Sequence, residues 1–171
     1  MVTIKKVELT DAGTLLALSK KTFLNFFAHL NDSANMDAYS VIAFTHQQMQ
    51  AELTNPDSDF YFAMLNNEIA GYLKINFGVA QAEFREENAM EIARIYVLGE
   101  HHGKHIGTEL LNFAVQAAIK KQLEYLWLGV WEQNINAIGF YEHNGFEVFS
   151  SHNFFLGDGK QKDLLMKRML K

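Results

Sequence analysis

The stretch EIARIYVLGEHHGKHIGTELLNFAV, residues 91–115, decides the fold of this chain. It begins with apolar and β-branched residues typical of a strand, passes through a loop with glycines at 99, 103 and 107, and continues into an apolar helix. A loop before a helix presents unpaired backbone N–H groups and the positive end of the helix dipole. Glycines in such a loop let the main chain approach a ligand closely. The stretch therefore predicts a diphosphate-binding loop, with a simple turn as the alternative.

Two common phosphate-binding motifs are absent from this loop. A Walker A motif needs four residues between its first glycine and the following GK, whereas Gly99 and Gly103 enclose three, and His105 stands at the hydroxyl position. The dinucleotide fingerprint G-x-G-x-x-G is excluded because the glycines are spaced by four. A phosphate site here would thus belong to another class of fold.

The histidines in the loop suggest a metal site as an alternative. His101 or His102 could meet His105 on one helical face, because residues three or four apart are neighbours on a helix. No acidic residue follows at a matching spacing, and the chain has no cysteine to supply a thiolate ligand or a disulfide. We therefore expect no metal cofactor.

The composition indicates one globular domain spanning residues 1–171. Hydrophobic residues make up 49% of the chain and charged residues 20%, which is ordinary for a globular protein. The net charge of −5 and the scattered lysine pairs argue against a nucleic-acid partner. Neither a signal peptide nor a run long enough to span a membrane is recognisable, so we expect a cytoplasmic protein without membrane contact.

Outward from the opening stretch, the hydrophobic period alternates between helix-like and strand-like spacing. The predicted elements are a strand at 3–9, a helix at 11–30 capped by Thr10 or Asp11, a helical region from Asp37 to about Leu53, hairpin strands at 59–65 and 68–78 around Asn66 and Asn67, a strand at 89–98, a helix at 106–119, a buried strand at 125–131, a short helix from Asn134 that stops before Gly145, and two final strands around the turn GDGK. This order predicts an α/β fold with a mixed sheet and helices on both faces. The strand–helix–strand run from 89 to 131 should form its parallel, right-handed portion.

Two segments resemble the GNAT superfamily of N-acetyltransferases. Residues 91–115 resemble its acetyl-CoA-binding segment, in which a Q/R-x-x-G-x-G/A loop joins a strand to a helix; Gly107 agrees, whereas His102 and His105 depart from the pattern. Residues 134–149, NINAIGFYEHNGFEVF, resemble the second signature N-x-x-A-x-x-F-Y-x-x-x-G-F. The matching positions are Asn134, Ala137, Phe140, Tyr141, Gly145 and Phe146. The resemblance extends from about Ile69 to the end of the chain.

This resemblance implies both a fold and an activity. The fold is a GNAT-like sheet of about seven strands, mostly antiparallel, with one splayed parallel pair and about four flanking helices. The activity is acetyl transfer from acetyl-CoA, as co-substrate, to a primary amine. Segments 58–78, 92–98 and 126–134 look most like the bacterial spermidine/spermine acetyltransferase (PaiA-type) branch, which implies a polyamine acceptor. An amino-acid or protein N-acetyltransferase and a non-catalytic acyl-CoA-binding or sensing module are the alternatives.

The resemblance also implies catalytic roles. Glu91 lies where the family often supplies a carboxylate that deprotonates the amine, directly or through water. A solvated strand glutamate is the alternative interpretation, and Glu83, Glu86 and Glu87 are rival carboxylates. Tyr141 matches the tyrosine that protonates the departing thiolate, with a buried structural tyrosine as its alternative.

The resemblance also implies where acetyl-CoA binds: along the main chain at the end of the strand at 89–98, in the loop before the helix at 106, and against residues of the second signature. The expected cofactor-binding residues are Ile95, Tyr96, Val97, His102, Gly103, Lys104, His105, Ile106, Gly107, Thr108, Asn134, Ala137, Phe140 and His143. The acceptor is expected over the first two helices, near Phe26, Phe27 and Tyr39. The C-terminal hairpin could pair with a second subunit and so form a homodimer.

Overall fold

One sheet organises the protein, whose computed structural model describes residues 1–27, 44–156 and 159–170. In chain order its described strands are β1 (Val2–Lys6), β2 (Ser58–Leu65), β3 (Glu68–Phe77), β4 (Ala89–Val97), β5 (Tyr125–Trp131), β6 (Glu147–Leu156) and β7 (Gly159–Met169). Across the sheet they are arranged β1-β2-β3-β4-β5-β7-β6. The β4–β5 pair is parallel and the other neighbouring pairs are antiparallel. The mixed sheet predicted from the sequence is confirmed.

Helices cover both faces of this sheet. Those in the described residues are α1 (Ala12–Phe27), α2 (His46–Thr54), α3 (Ile106–Lys120) and α4 (Ile135–His143). Helices α1 and α2 pack on one face through Leu15, Leu18 and Met49, which contact inward residues of β2 and β3. Helices α3 and α4 pack on the opposite face in the larger apolar core. No helix among residues 1–27, 44–156 and 159–170 has the length and apolar character needed to cross a membrane.

Three boundaries on the α1–α2 side differ from the sequence prediction. Strand β1 ends at Lys6, because the chain then enters a short 3-10 turn at Leu9–Asp11. Within this turn the Asp11 carboxylate accepts a hydrogen bond from the Glu8 N–H at 2.9 Å, and α1 begins at Ala12. Helix α2 begins at His46, where Thr45 Oγ1 accepts from the Gln48 N–H at 3.1 Å. The predicted start at Asp37 lies outside the described residues.

The β2–β3 turn, helix α3 and strand β5 follow the sequence pattern closely. Asn66 and Asn67 adopt positive φ angles of 52° and 66°, as a two-residue hairpin turn requires. Ile106, Leu110, Ala114 and Ala118 form the buried stripe of α3, and Ala117 lies at its margin. Strand β5 occupies residues 125–131 as predicted, and most of its side chains are buried because the sheet is covered on both faces.

Strands β4 and β5 stay together for only three residue pairs. Ala89 faces Tyr125, Met90 faces Leu126 and Glu91 faces Trp127. Beyond Glu91, strand β4 continues beside β3, while β5 continues beside β7. The two parallel strands therefore diverge and leave an opening in the middle of the sheet.

A β-bulge bends β4 just after this divergence begins. On the β3 side, Lys74 pairs with Arg94 but Ile75 pairs with Ile92, so that Ala93 is an extra residue in β4. Such a bulge increases the local twist and re-aims the residues that follow it. The final part of β4 is thereby turned relative to its beginning.

We predict that Gly71→Ala is destabilising, because β3 and β4 approach each other closely at this point. A Cβ at position 71 would lie 2.3 Å from the Tyr96 carbonyl oxygen and 3.1 Å from Val97 Cα. Forcing the strands apart should lower the free energy of unfolding by about 1–3 kcal/mol in urea titrations. The matched control is Gly139→Ala in α4, where nothing lies within 4 Å of the new methyl group, and it should stabilise the protein by about 0.4–1 kcal/mol. Equal stability of the two variants would contradict this account.

Candidate functional site

The opening between β4 and β5 has helix N-termini at its mouth. Because the two strands are parallel, their carboxyl ends lie at the same edge of the sheet, where the chain turns into α3 and α4 respectively. A Cβ placed on Gly107 would lie 3.8 Å from the Phe140 ring and 3.9 Å from Val97 Cγ2. The start of α3, the middle of α4 and the end of β4 thus meet around one point.

The loop before α3 has the backbone geometry of an anion site. Gly103 has φ = 79° and His105 has φ = 61°, so that the chain turns sharply into the helix at Ile106. The His105 side chain makes no capping hydrogen bond, which leaves the first N–H groups of α3 available to a ligand. The left-handed conformation costs a non-glycine residue about 1–2 kcal/mol, although histidine tolerates it better than most.

The loop histidines do not form the helical pair on which a metal site depends. His101, His102 and His105 all precede α3 rather than lying on it. His102 Nε2 lies 2.9 Å from the Val97 carbonyl oxygen, and His101 Nδ1 lies 3.2 Å from Lys104 Nζ. Within the described ranges, no group of three or more His, Asp or Glu side chains could hold a metal ion.

Glu91 lies at the root of the opening, in the last residue pair that β4 shares with β5. Its side chain is 7% exposed, so the interpretation as a solvated strand glutamate is wrong. Oε2 accepts hydrogen bonds from Asn76 Nδ2 at 3.1 Å and from the Ala82 N–H at 2.9 Å. Among the described residues, none donates a hydrogen bond to Oε1. One carboxylate oxygen is therefore held in place while the other can receive a proton.

The rival carboxylates have other surroundings. The Glu86 carboxylate accepts a hydrogen bond from the Tyr125 hydroxyl at 2.8 Å, and Glu87 is exposed. Burial, followed by this bond to Glu86, raises the pKa of Tyr125 to about 12. Glu83 contacts His152 Nδ1 instead. Glu91 is thus the buried member of the predicted set.

A second acidic group, which sequence reasoning missed, lies beside β5. His152 bridges Glu83 and Asp163, with its Nε2 3.2 Å from Asp163 Oδ2. Burial raises the pKa of Asp163, although the neighbouring His152 opposes the shift. Asp163 Oδ2 also lies 3.3 Å from where a Cβ on Gly129 would be. The one sequence signal for this site is that glycine within the bulky strand YLWLGVW.

Tyr141 is buried on the α3–α4 side, with rings of Phe140 and Phe146 beside it. Burial raises its pKa well above the usual value of tyrosine, so the hydroxyl keeps its proton at neutral pH. The structure shows no hydrogen bond from this hydroxyl to any residue in the described part of the chain. It is a proton donor without a fixed partner.

The other residues of the second signature have mixed roles. Asn134 Oδ1 accepts a hydrogen bond from the Ala137 N–H at 3.2 Å and thereby caps α4, which leaves the Asn134 amide group for other contacts. Ala137 and Phe140 are partly buried against the core, and His143 is exposed in the last turn of α4. Phe140 is the residue of this set that touches the start of α3.

The predicted acceptor residues are only partly described. Phe26 is partly buried in an aromatic cluster with Phe23, Trp131, Phe44 and Phe154, at the end of β5. Phe27 belongs to α1, but its side chain and the whole of Tyr39 lie outside the described residues. Only Phe26 can therefore be placed near the opening.

The sequence profile of the acetyltransferase (GNAT) family matches residues 24–146, which include the opening and both signatures. The chain belongs to the GNAT acetyltransferase family. An uncharacterised N-acetyltransferase of Lactobacillus delbrueckii subsp. lactis is 36% identical over 169 residues, covering 99% of this chain and 98% of that protein. A spermidine N(1)-acetyltransferase of Thermoplasma acidophilum is 23% identical over 151 residues, covering 86% and 89% of the two chains.

A solved structure shows the same fold with the cofactor present. The PaiA N-acetyltransferase of Thermoplasma acidophilum in complex with coenzyme A has a TM-score of 0.78 to this GNAT protein, with 21% identity and 99% of each chain covered. The predicted GNAT fold is confirmed by this match. The protein is an N-acetyltransferase that uses acetyl-CoA as its co-substrate.

We predict that His105→Gly keeps or improves coenzyme A binding, because glycine adopts positive φ without strain. Relief of about 1–2 kcal/mol is offset by the greater freedom of glycine in the unfolded chain, about 0.4–1 kcal/mol. Unfolding experiments should thus show a gain of up to about 1.6 kcal/mol, and calorimetry should show equal or tighter binding. Gly103→Ala is the mirror control and should lose stability at φ = 79°. Weaker binding of coenzyme A by His105→Gly would instead identify the histidine as a ligand.

Proposed function

We propose that this acetyltransferase transfers the acetyl group directly from acetyl-CoA to a cationic primary amine, within the opening between β4 and β5. The observation that carries the proposal is Glu91, a buried carboxylate at the root of the opening with only one oxygen engaged by the described residues. A carboxylate in this position can take the proton that a primary ammonium must lose before it attacks a thioester.

The proposed cofactor site follows the mouth of the opening. The pyrophosphate binds at the N-terminus of α3, where the first turn of the helix presents N–H groups without intrahelical partners and the positive end of the helix dipole. The pantetheine arm runs along the main chain of Ile95–Val97, on the side of β4 that β5 has left. Phe140 and the amide group of Asn134 face it from α4, and the exposed His143 would interact only with an outer phosphate.

The proposed reaction needs one base, one oxyanion donor and one acid. The ammonium has a pKa of about 10.4 and gives a proton to Glu91, directly or through one water. The free amine nitrogen then attacks the thioester carbon, and a main-chain N–H of Ile95–Val97 stabilises the oxyanion. When the intermediate collapses, the C–S bond breaks and the thiolate of coenzyme A takes the Tyr141 proton. The acetylated nitrogen loses its second proton, which returns through solvent to the Tyr141 phenolate, and Glu91 releases its proton to solvent. The products are an N-acetyl amine and coenzyme A.

Charge beside β5 supports a cationic acceptor with more than one amino group. His152 of β6 lies between Asp163 of β7 and Glu83 of the segment before β4, and Gly129 carries no side chain against Asp163. When one amino group of the acceptor lies at Glu91, the proposed base, a second ammonium group of the same molecule could pair with Glu83 or Asp163. The name of the spermidine N(1)-acetyltransferase relative is consistent with a polyamine.

A panel of acceptors tests this function. Release of free thiol from acetyl-CoA should be fastest with spermidine and a linear diamine, and at least about tenfold slower with a free amino acid or a peptide N-terminus. This ratio reflects one lost charge-assisted hydrogen bond, about 1.5–3 kcal/mol. Asp163→Asn should reduce the preference for a diamine over a monoamine of the same length. Coenzyme A binding without turnover of any amine would contradict the proposal. Fastest turnover of the peptide would instead identify a protein N-terminus as the acceptor.

We predict that Glu91→Gln lowers kcat/KM by about 10²-fold near neutral pH. The amide can still accept from Asn76 and the Ala82 N–H, so the fold should persist. The deficit should shrink as pH rises, because an alkaline medium supplies the free amine that the variant no longer generates. Glu87→Gln, at an exposed position, is the control and should match the wild type in a pH–rate profile. Full activity of Glu91→Gln at every pH would assign the base to another carboxylate or to water.

The counterpart of this variant is Tyr141→Phe, which removes only the hydroxyl. Its kcat should fall while its affinity for acetyl-CoA stays nearly unchanged, because the ring still fills the same buried site. Unlike the Glu91→Gln deficit, this deficit should not be relieved by raising the pH toward 9, since the pKa of Tyr141 lies well above that range. Loss of acetyl-CoA binding would instead show that Tyr141 has a packing role.

A further inference from the structure

A buried ion network joins α2 to the bulged strand β4. Both terminal guanidinium nitrogens of Arg94 donate to Glu52, Nη1 to Oε2 at 2.9 Å and Nη2 to Oε1 at 3.1 Å. Lys74 Nζ donates to the same Oε2 at 3.0 Å. The side chains of Glu52 and Lys74 are 13% and 10% exposed, and that of Arg94 is 26% exposed. One carboxylate of a helix thus holds two cations of the sheet.

The two cations would repel each other without this carboxylate. Lys74 and Arg94 are direct cross-strand partners, and like charges in such a pair are destabilising. Burial and the charge of Arg94 lower the pKa of Lys74, whereas Glu52 opposes this shift. Burial also acts against the Glu52 charge, but Arg94 and Lys74 outweigh it and lower the pKa of Glu52. The charge of each group therefore depends on the other two.

The network is attached at the point where β4 bends. Arg94 follows the extra residue Ala93 directly, and Lys74 is the last β3 residue in regular register before the bulge. Glu91, the proposed base, lies before the bulge, whereas Ile95–Val97 lie after it. The angle of the strand at Ala93 therefore sets the distance from the base to the main chain proposed for the thioester.

We propose that Glu52 is a positioning residue for acetyl transfer, which fixes the bend of β4 through its bidentate bond to Arg94. The inference rests on the proposed roles of Glu91 and Ile95–Val97. It adds to them a residue of α2, on the opposite face of the sheet from α3 and α4. Holding reacting groups in register matters because a displacement of about 1 Å can slow a reaction about 10²-fold.

The test compares two variants of α2. Glu52→Gln breaks the ionic link to Arg94, whereas Met49→Ala removes a buried apolar contact of the same helix without changing any charge. Both should lower the melting temperature. Only Glu52→Gln should lower kcat by roughly tenfold or more, with coenzyme A affinity within a fewfold of wild type because the phosphate loop is untouched. Met49→Ala should keep its kcat within about twofold.

A double variant separates positioning from folding. Glu52→Gln combined with Lys74→Met removes the unpaired lysine charge, so the protein should regain stability while Arg94 still lacks its bidentate partner. The low kcat should persist in this protein. Recovery of kcat together with stability would overturn the inference, as would equal kcat losses in Glu52→Gln and Met49→Ala.

A readout without turnover distinguishes this inference from the proposed function. Ile95 and Val97 pack on the opposite face of the sheet from Met49. Their backbone amide signals in NMR spectra of the free protein should shift in Glu52→Gln and stay in place in Met49→Ala. Unmoved signals in Glu52→Gln would overturn the inference even if the wild type acetylates amines as proposed. Shifted signals would support the role of Glu52 in fixing the bend of β4, even if the acceptor panel contradicted the proposed acceptor.

Discussion

The divergence of β4 from β5 after Glu91 is the constraint on which the rest of the structure depends. A parallel pair that separates inside a sheet leaves backbone N–H and C=O groups without partners, and such groups must be satisfied in another way. Strand β5 gains a full antiparallel partner in β7, and β4 keeps β3. Beyond Glu91, the edge of β4 that β5 has left stays open, and this is the edge along which we propose that the pantetheine arm binds.

This arrangement divides the two faces of the sheet between different tasks. On the α3–α4 face the buried residues are apolar, from Met90 and Ile92 of β4 to Leu110 of α3. Glu91, between Met90 and Ile92, points to the α1–α2 side because side chains alternate across a strand. Arg94 points to the same side because the bulge at Ala93 shifts the alternation. The charged groups thus lie on the face where we propose that the acceptor enters, while an apolar layer lies beneath the loop that we propose binds the cofactor.

The sequence predicted those elements whose information is local. The stripe of α3, the unbroken apolar run of β5 and the Asn66–Asn67 turn each depend on neighbours within a few residues, and each formed as expected. The pairings of Glu52 with Arg94 and of His152 with Glu83 join residues 42 and 69 positions apart. No periodicity signals such contacts. The bulge at Ala93 could not be predicted from local sequence either, because a bulge is defined by how β4 pairs with β3.

Both tryptophans of the chain lie on β5, at positions 127 and 131. The indole N–H of Trp127 donates to Gln81 Oε1 at 2.8 Å, and that of Trp131 donates to Gln161 Oε1 at 2.9 Å. Indole emission depends on the polarity and hydrogen bonding around the ring, and the tryptophan fluorescence of this protein originates from a single strand. That strand borders the opening from Trp127 to its end. Tryptophan fluorescence can therefore report on the opening between β4 and β5, with Trp127 at its root and Trp131 at its mouth.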